Sequence, residues 1–408
     1  MRFFFLAFLV LMALNVNAQW DRMNTNTNLK FTAIAFDNGP TGMIGYALAH
    51  DPGGAHPGQA YITFDNGINW SLHWTNDSSE YWDVTVSPGG WWWFIGDNGY
   101  YWCQNLSVTA VEGNVSPYTL YCGDAPTDSS FYGAGEHGMV YRTLDLGATW
   151  DTFTTGTNET INDIYFADAA NGWIVANGGY LAVTADSGNT WTFVPQPQWG
   201  FTNFMSLAYQ DTFGLNPYIV GEDGAGLFSI NGGVDWFGFA TNTTNDIHKI
   251  RFINTVGGLM CGDNGYISRT VEGGGWWFND PSPVNVDLFD IAYAGDTTAF
   301  ICGDSGVILR SRMDISSVEQ PSSPSVAARA YPNPTNGPLF VEVMLSGESN
   351  VTVEFVDLLG QVIQTNYYEH VSSGVNRFEC STGNLVTGVY FMRVIANEQV
   401  VTMPVIRN

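Results

Sequence analysis

"NDIHKIRFINTVGGLMCGDNGYISRTVEGGGWW", residues 245–277, reads as an apolar strand, a loop, a second strand, a tight turn at "GDNG", a third strand, a turn at "VEGG" and a fourth strand opened by tryptophan. Turns of the Asn-Gly and Asp-Gly type suit hairpins because their central residues need positive φ. The unit is not alone. Its closing turn returns as "TFDNGINW" (63–70), "TLDLGATW" (143–150), "TADSGNTW" (184–191) and "SINGGVDW" (229–236). Aligned on that turn, the chain places Asp65, Glu112, Asp145, Asp186, Asn231, Glu272 and Asp314 in one position, at intervals of 47, 33, 41, 45, 41 and 42 residues. Four short strands per 40–45 residues is the requirement of a propeller blade.

The earlier turn of the unit recurs independently, as "GDNG" (96–99), "GEHG" (135–138), "NGG" (177–179), "GEDG" (221–224), "GDNG" (262–265) and "GDSG" (303–306). It usually precedes the closing turn by about one strand's length. Two signals in register over seven units predict an all-β, seven-bladed β-propeller over 19–314. The seventh unit lacks a fourth strand, and "QWDRMNTNT" (19–27) offers a spare one beginning at Trp20. That strand is expected to close the ring, leaving no open edge.

The ends of the chain read differently. "MRFFFLAFLVLMALNVNA" has a positive start, an apolar run and small-residue cleavage chemistry, so residues 1–18 are expected to be a signal peptide. No later stretch is long and apolar enough to span a bilayer. Residues 315–327 form a Ser/Pro linker, and 328–408 alternate apolar runs with Gly and Asn turns, which predicts a small β-sandwich.

Composition narrows the function. The chain carries 39 acidic residues against 13 Lys plus Arg, for a formal charge of −26. Such a balance argues against nucleic acid, whose phosphates need neutralising, and favours cationic partners. The six histidines and five cysteines show no ligand spacing, so neither metal nor other cofactor is expected. Cys261 and Cys302 share one repeat position and read as buried small apolar residues. Cys103 and Cys122 are open either to pairing as a disulfide or to remaining free. "WWW" at 91–93 reads as packing between blades on both faces of a strand, with a sugar- or partner-stacking surface as the alternative.

The turn "S/T-x-D-x-G-x-T-W" resembles the Asp-box of sialidases, sortilin-type receptors and related propellers. The longer unit "GDNGxIxRTxxGGxxW" resembles the photosystem II stability and assembly factor family, whose seven-bladed repeats also occur in non-photosynthetic bacteria. "YPNP" (Tyr331, Pro332, Asn333, Pro334), "DLLGQ" (357–361, with Gly360) and "GVY" (388–390, with Gly388 and Tyr390) resemble the type A C-terminal sorting domain of the Bacteroidetes type IX secretion system. That resemblance implies periplasmic transit, engagement of the secretion machinery, and release or attachment at the outer-membrane surface.

The carboxylates of the closing turns recur with the fold and not with any one site, so they are expected to be structural. A sialidase needs converging arginines, yet Arg142, Arg269 and Arg310 hold one repeat position on three different blades. No catalytic residue is therefore assigned. The expected function is a non-catalytic binding or scaffold protein acting on an envelope protein or glycan. The alternative is a carbohydrate-binding or glycoside-hydrolase-like Asp-box propeller. The "GDNG"-type turns should ring one face, which makes Asp97, Glu136, Glu222, Asp223, Asp263 and Asp304 the candidate binding residues. With 32 acidic and 8 basic residues in 19–327, that face should favour divalent cations or a basic segment.

Overall fold

A computed structural model describes residues 20–311 apart from 38–42, 52–56, 106–108, 196–201, 211–215, 272 and 296–297. It also describes residues 326–407 apart from 332–334, 336, 346, 357–360 and 397–398. The expected signal peptide lies outside them, as do Glu272, Asp314, Gly360 and Pro332 to Pro334.

Seven four-stranded antiparallel sheets follow one another from residue 20 to 311. Their first strands are Lys30–Phe36, Tyr81–Val86, Leu120–Asp124, Ile161–Phe166, Phe204–Tyr209, Ile247–Phe252 and Leu288–Ala294. Each pairs with the next strand of its own sheet and packs beside the first strands of the sheets on either side, the seventh beside the first. The result is a closed ring of seven blades.

The core is correspondingly divided into seven apolar layers, one at each junction between blades. Because both faces of a blade pack on neighbours, strand alternation puts one set of side chains into each flanking layer. Trp92 faces the blade 1 layer with Tyr46 and Phe94, while Trp93 faces blade 3 and stacks on Phe131 at 4.5 Å. Inter-blade packing is thus what the tryptophan run does. Cys261 and Cys302 are buried in such layers, and all five cysteines, Cys103 and Cys122 included, are free and buried.

Trp20–Arg22 supplies the fourth strand of blade 7, with Trp20 opposite Ser311 and Arg22 opposite Leu309. Trp20 is buried against the blade 6 and 7 layer, where its indole replaces the tryptophan that the last repeat lacks. Ring closure from the N-terminus follows the expectation.

The closing turns explain their own sequence. The Thr143 hydroxyl accepts the Gly147 amide at 2.9 Å, and Asp145 Oδ1 accepts the Thr149 amide at 2.8 Å. Thr184 and Asp186 repeat this with Gly188 and Thr190, and Thr63 and Asp65 with Gly67 and Asn69. In blade 5 one pair of roles is exchanged: Asn231 Nδ2 donates to Asp235. Bonds from Thr149, hydroxyl first, hold the Asp145 carboxyl below its ordinary range, and the Thr190 amide and hydroxyl do so for Asp186. Gly147 sits at φ +84°, and a Cβ there would lie 2.8 Å from the Tyr101 ring of blade 2. The glycine therefore both forms the turn and lets the neighbouring blade's tyrosine, whose hydroxyl donates to the Gly147 carbonyl at 3.0 Å, close over it.

One expectation fails. Glu112 is not in a closing turn; it lies on the fourth strand of blade 2, Val111–Asn114, opposite Trp102. The third strand, Tyr100–Gln104, stays paired as far as Cys103, so the connection falls before residue 111. Its carboxylate instead accepts the Tyr100 hydroxyl at 2.7 Å.

The C-terminal region is a two-sheet sandwich, of three and four strands. Leu339, Val341, Val343 and Leu345 alternate inward to meet Val351, Val353, Phe355, Met392 and Val394. Its first strand, Val326–Tyr331, begins inside the stretch read as linker. Gly388 opens a strand, and the buried Tyr390 donates its hydroxyl to the Val386 carbonyl at 3.0 Å.

Candidate functional face

Five of the six "GDNG"-type sequences form tight 3-10 turns and the one at Asp304 a plain turn; the middle residue takes positive φ, 54° at Asn98, 60° at His137, 54° at Asp223 and 55° at Asn264. The first turn residue donates its amide to the carbonyl just before its blade's first strand, as Asp97 to Glu80, Glu136 to Thr119, Glu222 to Asn203, Asp263 to Asp246 and Asp304 to Asp287. These turns and the links between blades therefore share one face. The closing turns bond instead to the loop between strands 1 and 2, Leu146 to Ser129 and Ser187 to Ala170, on the opposite face.

The expected ring residues are on that shared face, though each has local work. Asp97 Oδ1 accepts the Trp82 indole N–H at 2.8 Å, and Glu136 Oε2 accepts the Thr119 amide at 2.9 Å. Glu222 Oε1 accepts the Asn203 amide group at 2.8 Å, and Asp263 Oδ1 pairs with His248 at 2.7 Å. Asp223 is exposed, and Asp304 is half-buried, its carbonyl accepting the Val307 amide at 3.2 Å. Asp97 and Glu136 converge through Thr119, whose hydroxyl lies 3.5 Å from Asp97. Each bonded carboxylate uses only one oxygen, leaving Asp97 Oδ2, Glu136 Oε1, Glu222 Oε2 and Asp263 Oδ2 without a partner among the described residues.

Two further sets of residues complete the face. Glu80, Asp246 and Asp287 stand immediately before first strands and add carboxylates; Asp246 accepts the Asp223 amide and Asp287 the Asn264 amide, each at 2.9 Å. In addition, every first strand carries a register bulge near its start, at the third residue in blade 1 and the second in the others: Thr32, Trp82, Tyr121, Asn162, Met205, His248 and Phe289. A bulge leaves one residue unpaired and re-aims its side chain. All seven are half-buried, and three are held by the turn of their own blade: Trp82 by Asp97, Asn162 by Asn177 and His248 by Asp263.

Behind this rim lies a ring of charge. Asp83, Asp124, Asp163 and Asp290 each accept a backbone amide from the first strand of the next blade, at Gly123, Phe166, Leu207 and Ile34, over 2.7–3.0 Å. Lys249 reaches from blade 6 past blade 5 to both oxygens of Asp163, at 3.4 Å each. Arg251 donates to the Ile291 carbonyl at 3.0 Å. Burial, with Asp290 adding and Lys249 opposing, pushes Asp83 up to about 7; burial lifts Asp124 to about 6 against the Phe166 and Ala125 amides. Burial alone would depress the Lys249 ammonium, but the attraction of Asp163, Asp290 and Asp83 outweighs it and raises its pKa. These carboxylates stitch blade to blade. Their signal stood in the repeat as "YWDV" (81–84), "INDI" (161–164), "IHKI" (247–250) and "LFDI" (288–291).

Arg142, Arg269 and Arg310 lie on the third strands of three blades. Arg142 pairs with Asp151 at 2.7 Å, Arg269 with Asp280 at 3.0 Å, and Arg310 lies over the Phe300 ring. They do not form a shared carboxylate clamp. Among the described residues no group of three or more His, Cys, Asp or Glu side chains is placed to hold a metal ion.

Residues 329–408 match the secretion system C-terminal sorting domain. No curated protein matches the chain as a whole. Among solved structures, YCF48 from Cyanidioschyzon merolae superposes with a TM-score of 0.59 at 16% identity, over 72% of this chain and 98% of that one. YCF48 bound to D1 peptide gives 0.59 at 14% identity, over 72% and 96%. At such identity the likeness carries the fold alone. The chain thus joins a seven-bladed propeller with the fold of YCF48 to a type IX secretion C-terminal sorting domain.

Proposed function

We propose that this protein is an exported, non-catalytic binding propeller whose 3-10-turn face receives a basic segment of a partner in the bacterial envelope. The observation that carries the reading is the set of carboxylate oxygens on the turns of blades 2, 3, 5 and 6 that have no partner among the described residues. They belong to half-buried turn residues beside half-buried bulge side chains, in a propeller with 32 acidic and 8 basic residues over 19–327. Carboxylates held on rigid turns attract a cationic chain with little ordering cost of their own. One structural neighbour is described as bound to a peptide, so a propeller of this fold can take a peptide ligand. The non-catalytic part of the reading rests on the axial carboxylates, since Asp83, Asp124, Asp163 and Asp290 are all committed to inter-blade amides. The sorting domain supports delivery to the outer surface.

The test is binding of lysine- and arginine-bearing peptides to the full chain, measured across a salt series. Association should fall steeply from 50 to 500 mM salt, and a protein changed together at Asp97→Asn, Glu136→Gln and Asp263→Asn should bind several-fold more weakly at low salt. Wild-type affinity unchanged between 50 and 500 mM salt, or a triple variant that binds as tightly as the wild type at low salt, would refute the assignment.

A further inference from the structure

The rim is not uniform. Its cations gather at blades 6, 7 and 1, where Lys30 lies 3.8 Å over the Phe289 ring, His248 lies beside Phe289, and Arg22 donates to the Ser305 carbonyl. Blades 2 and 3 present the opposite. The bulge at Trp82 and the bulge at Tyr121 bring two aromatic rings together edge to face, with centroids 5.2 Å apart and planes at 73°. Asp97 and Glu136 flank them, and both bear on the Tyr121 hydroxyl, whose pKa is raised by burial first and then by Glu136 and Asp97. Glu80 lies within electrostatic reach of Asp97 and is countered, among the described residues, by His50 at 2.7 Å.

We infer that Trp82, Tyr121, Asp97 and Glu136 form a seat for one arginine side chain of the partner. This rests on the turn-face reading and names the chemistry it selects. A guanidinium is flat and delocalised, so it can lie against an aromatic ring while its edge meets carboxylates; a compact, strongly hydrated ammonium has neither the flat face nor the fork and gains less from the same seat. The indole is held in place by its bond to Asp97 Oδ1, and Oδ2 of the same carboxylate stays unengaged beside it. Glu136 is fixed likewise through Oε2, with Oε1 over. Two rings and two spare oxygens on adjacent blades, the indole and both carboxylates held by hydrogen bonds before the ligand arrives, supply stacking and charge from one place.

The experiment uses the full chain and three fluorescent peptides of equal length, bearing a single central arginine, lysine or citrulline in an otherwise Gly/Ser/Lys sequence. The arginine peptide should bind about fivefold more tightly than the lysine peptide, and citrulline more weakly than either. Trp82→Leu and, separately, Tyr121→Leu should abolish the arginine preference, bringing the affinity of the arginine peptide down to that of the lysine peptide on the same variant; an unchanged melting midpoint certifies the fold of each. Should Trp82→Leu fail to fold, Tyr121→Leu alone decides. Equal affinity for arginine and lysine peptides in the wild type, or a preference that survives both substitutions, would overturn the seat while leaving the turn-face reading intact if binding remains salt-sensitive. Absence of salt-sensitive binding by any cationic peptide would overturn both.

Discussion

Lys249 is the residue whose removal most directly tests the axial ring. Its ammonium stands 3.4 Å from both oxygens of Asp163, with 24% and 9% of the two side chains accessible. At that distance an effective dielectric of about 20 gives an attraction of roughly 5 kcal/mol. Substitution by Met retains the stem but strands Asp163 beside Asp83 and Asp290. Allowing for the desolvation that the lost ammonium no longer incurs, the expected loss is about 3 kcal/mol. In a propeller of this size that corresponds to a fall in melting midpoint of roughly 5 °C or more. The pH dependence carries the mechanism. Asp83 titrates near 7 and Asp290 is likewise raised by burial. A carboxyl whose folded pKa lies above its unfolded value stabilises most below the unfolded value, and that contribution is lost as pH rises through the folded one. Without Lys249 these pKa values move further up, so protonation below pH 7 relieves the repulsion. Thermal unfolding at pH 8 and pH 5 should therefore show the full deficit for Lys249→Met at pH 8 and half of it or less at pH 5. Deficits of equal size at the two pH values, or none at pH 8, would refute the electrostatic account.

Removal of residues 19–27, or Trp20→Ala alone, should lower the melting midpoint markedly, the single substitution by about 3 kcal/mol of buried indole; an unaltered midpoint would show that the ring does not depend on this strand. Gly147→Ala should cost about 2–3 kcal/mol in chemical denaturation, because the added Cβ meets Tyr101 and the backbone is at positive φ, whereas Gly295→Ala, with open space around it, should show only the smaller backbone cost. A chain ending at residue 327 should accumulate in the periplasm; its appearance at the cell surface in fractionation would contradict the sorting role.

The blade count, the strand order within each blade and the two turn types were legible from residues 245–277 outward, because turn chemistry is local: Gly and Asn at positive φ, and a carboxylate bonding amides four residues on, need no tertiary partner to be recognised. Where that local signal was weak, the reading slipped. Glu112 looked like a closing turn because "VEG" has the residues of one, but the pairing of Cys103 with Val111 sets the register, and register belongs to the sheet. The strand at Trp20 was inferable from a deficit in the last repeat, since an incomplete blade leaves an edge that something must cover.

What the sequence by itself determined is the architecture: seven repeats whose apolar alternation demands neighbours on both faces, and so a ring. What only the tertiary structure decided is which side chains meet. Trp82 and Tyr121 lie 39 residues apart in the chain, and Lys249 and Asp163 are separated by 86. Nothing in their local sequence marks them as partners. A bulge near the start of every first strand turns one side chain per blade onto a common rim, and ring closure brings residues of equal repeat position onto one axis. Those encounters are set by the curvature of the whole assembly, which no single blade contains.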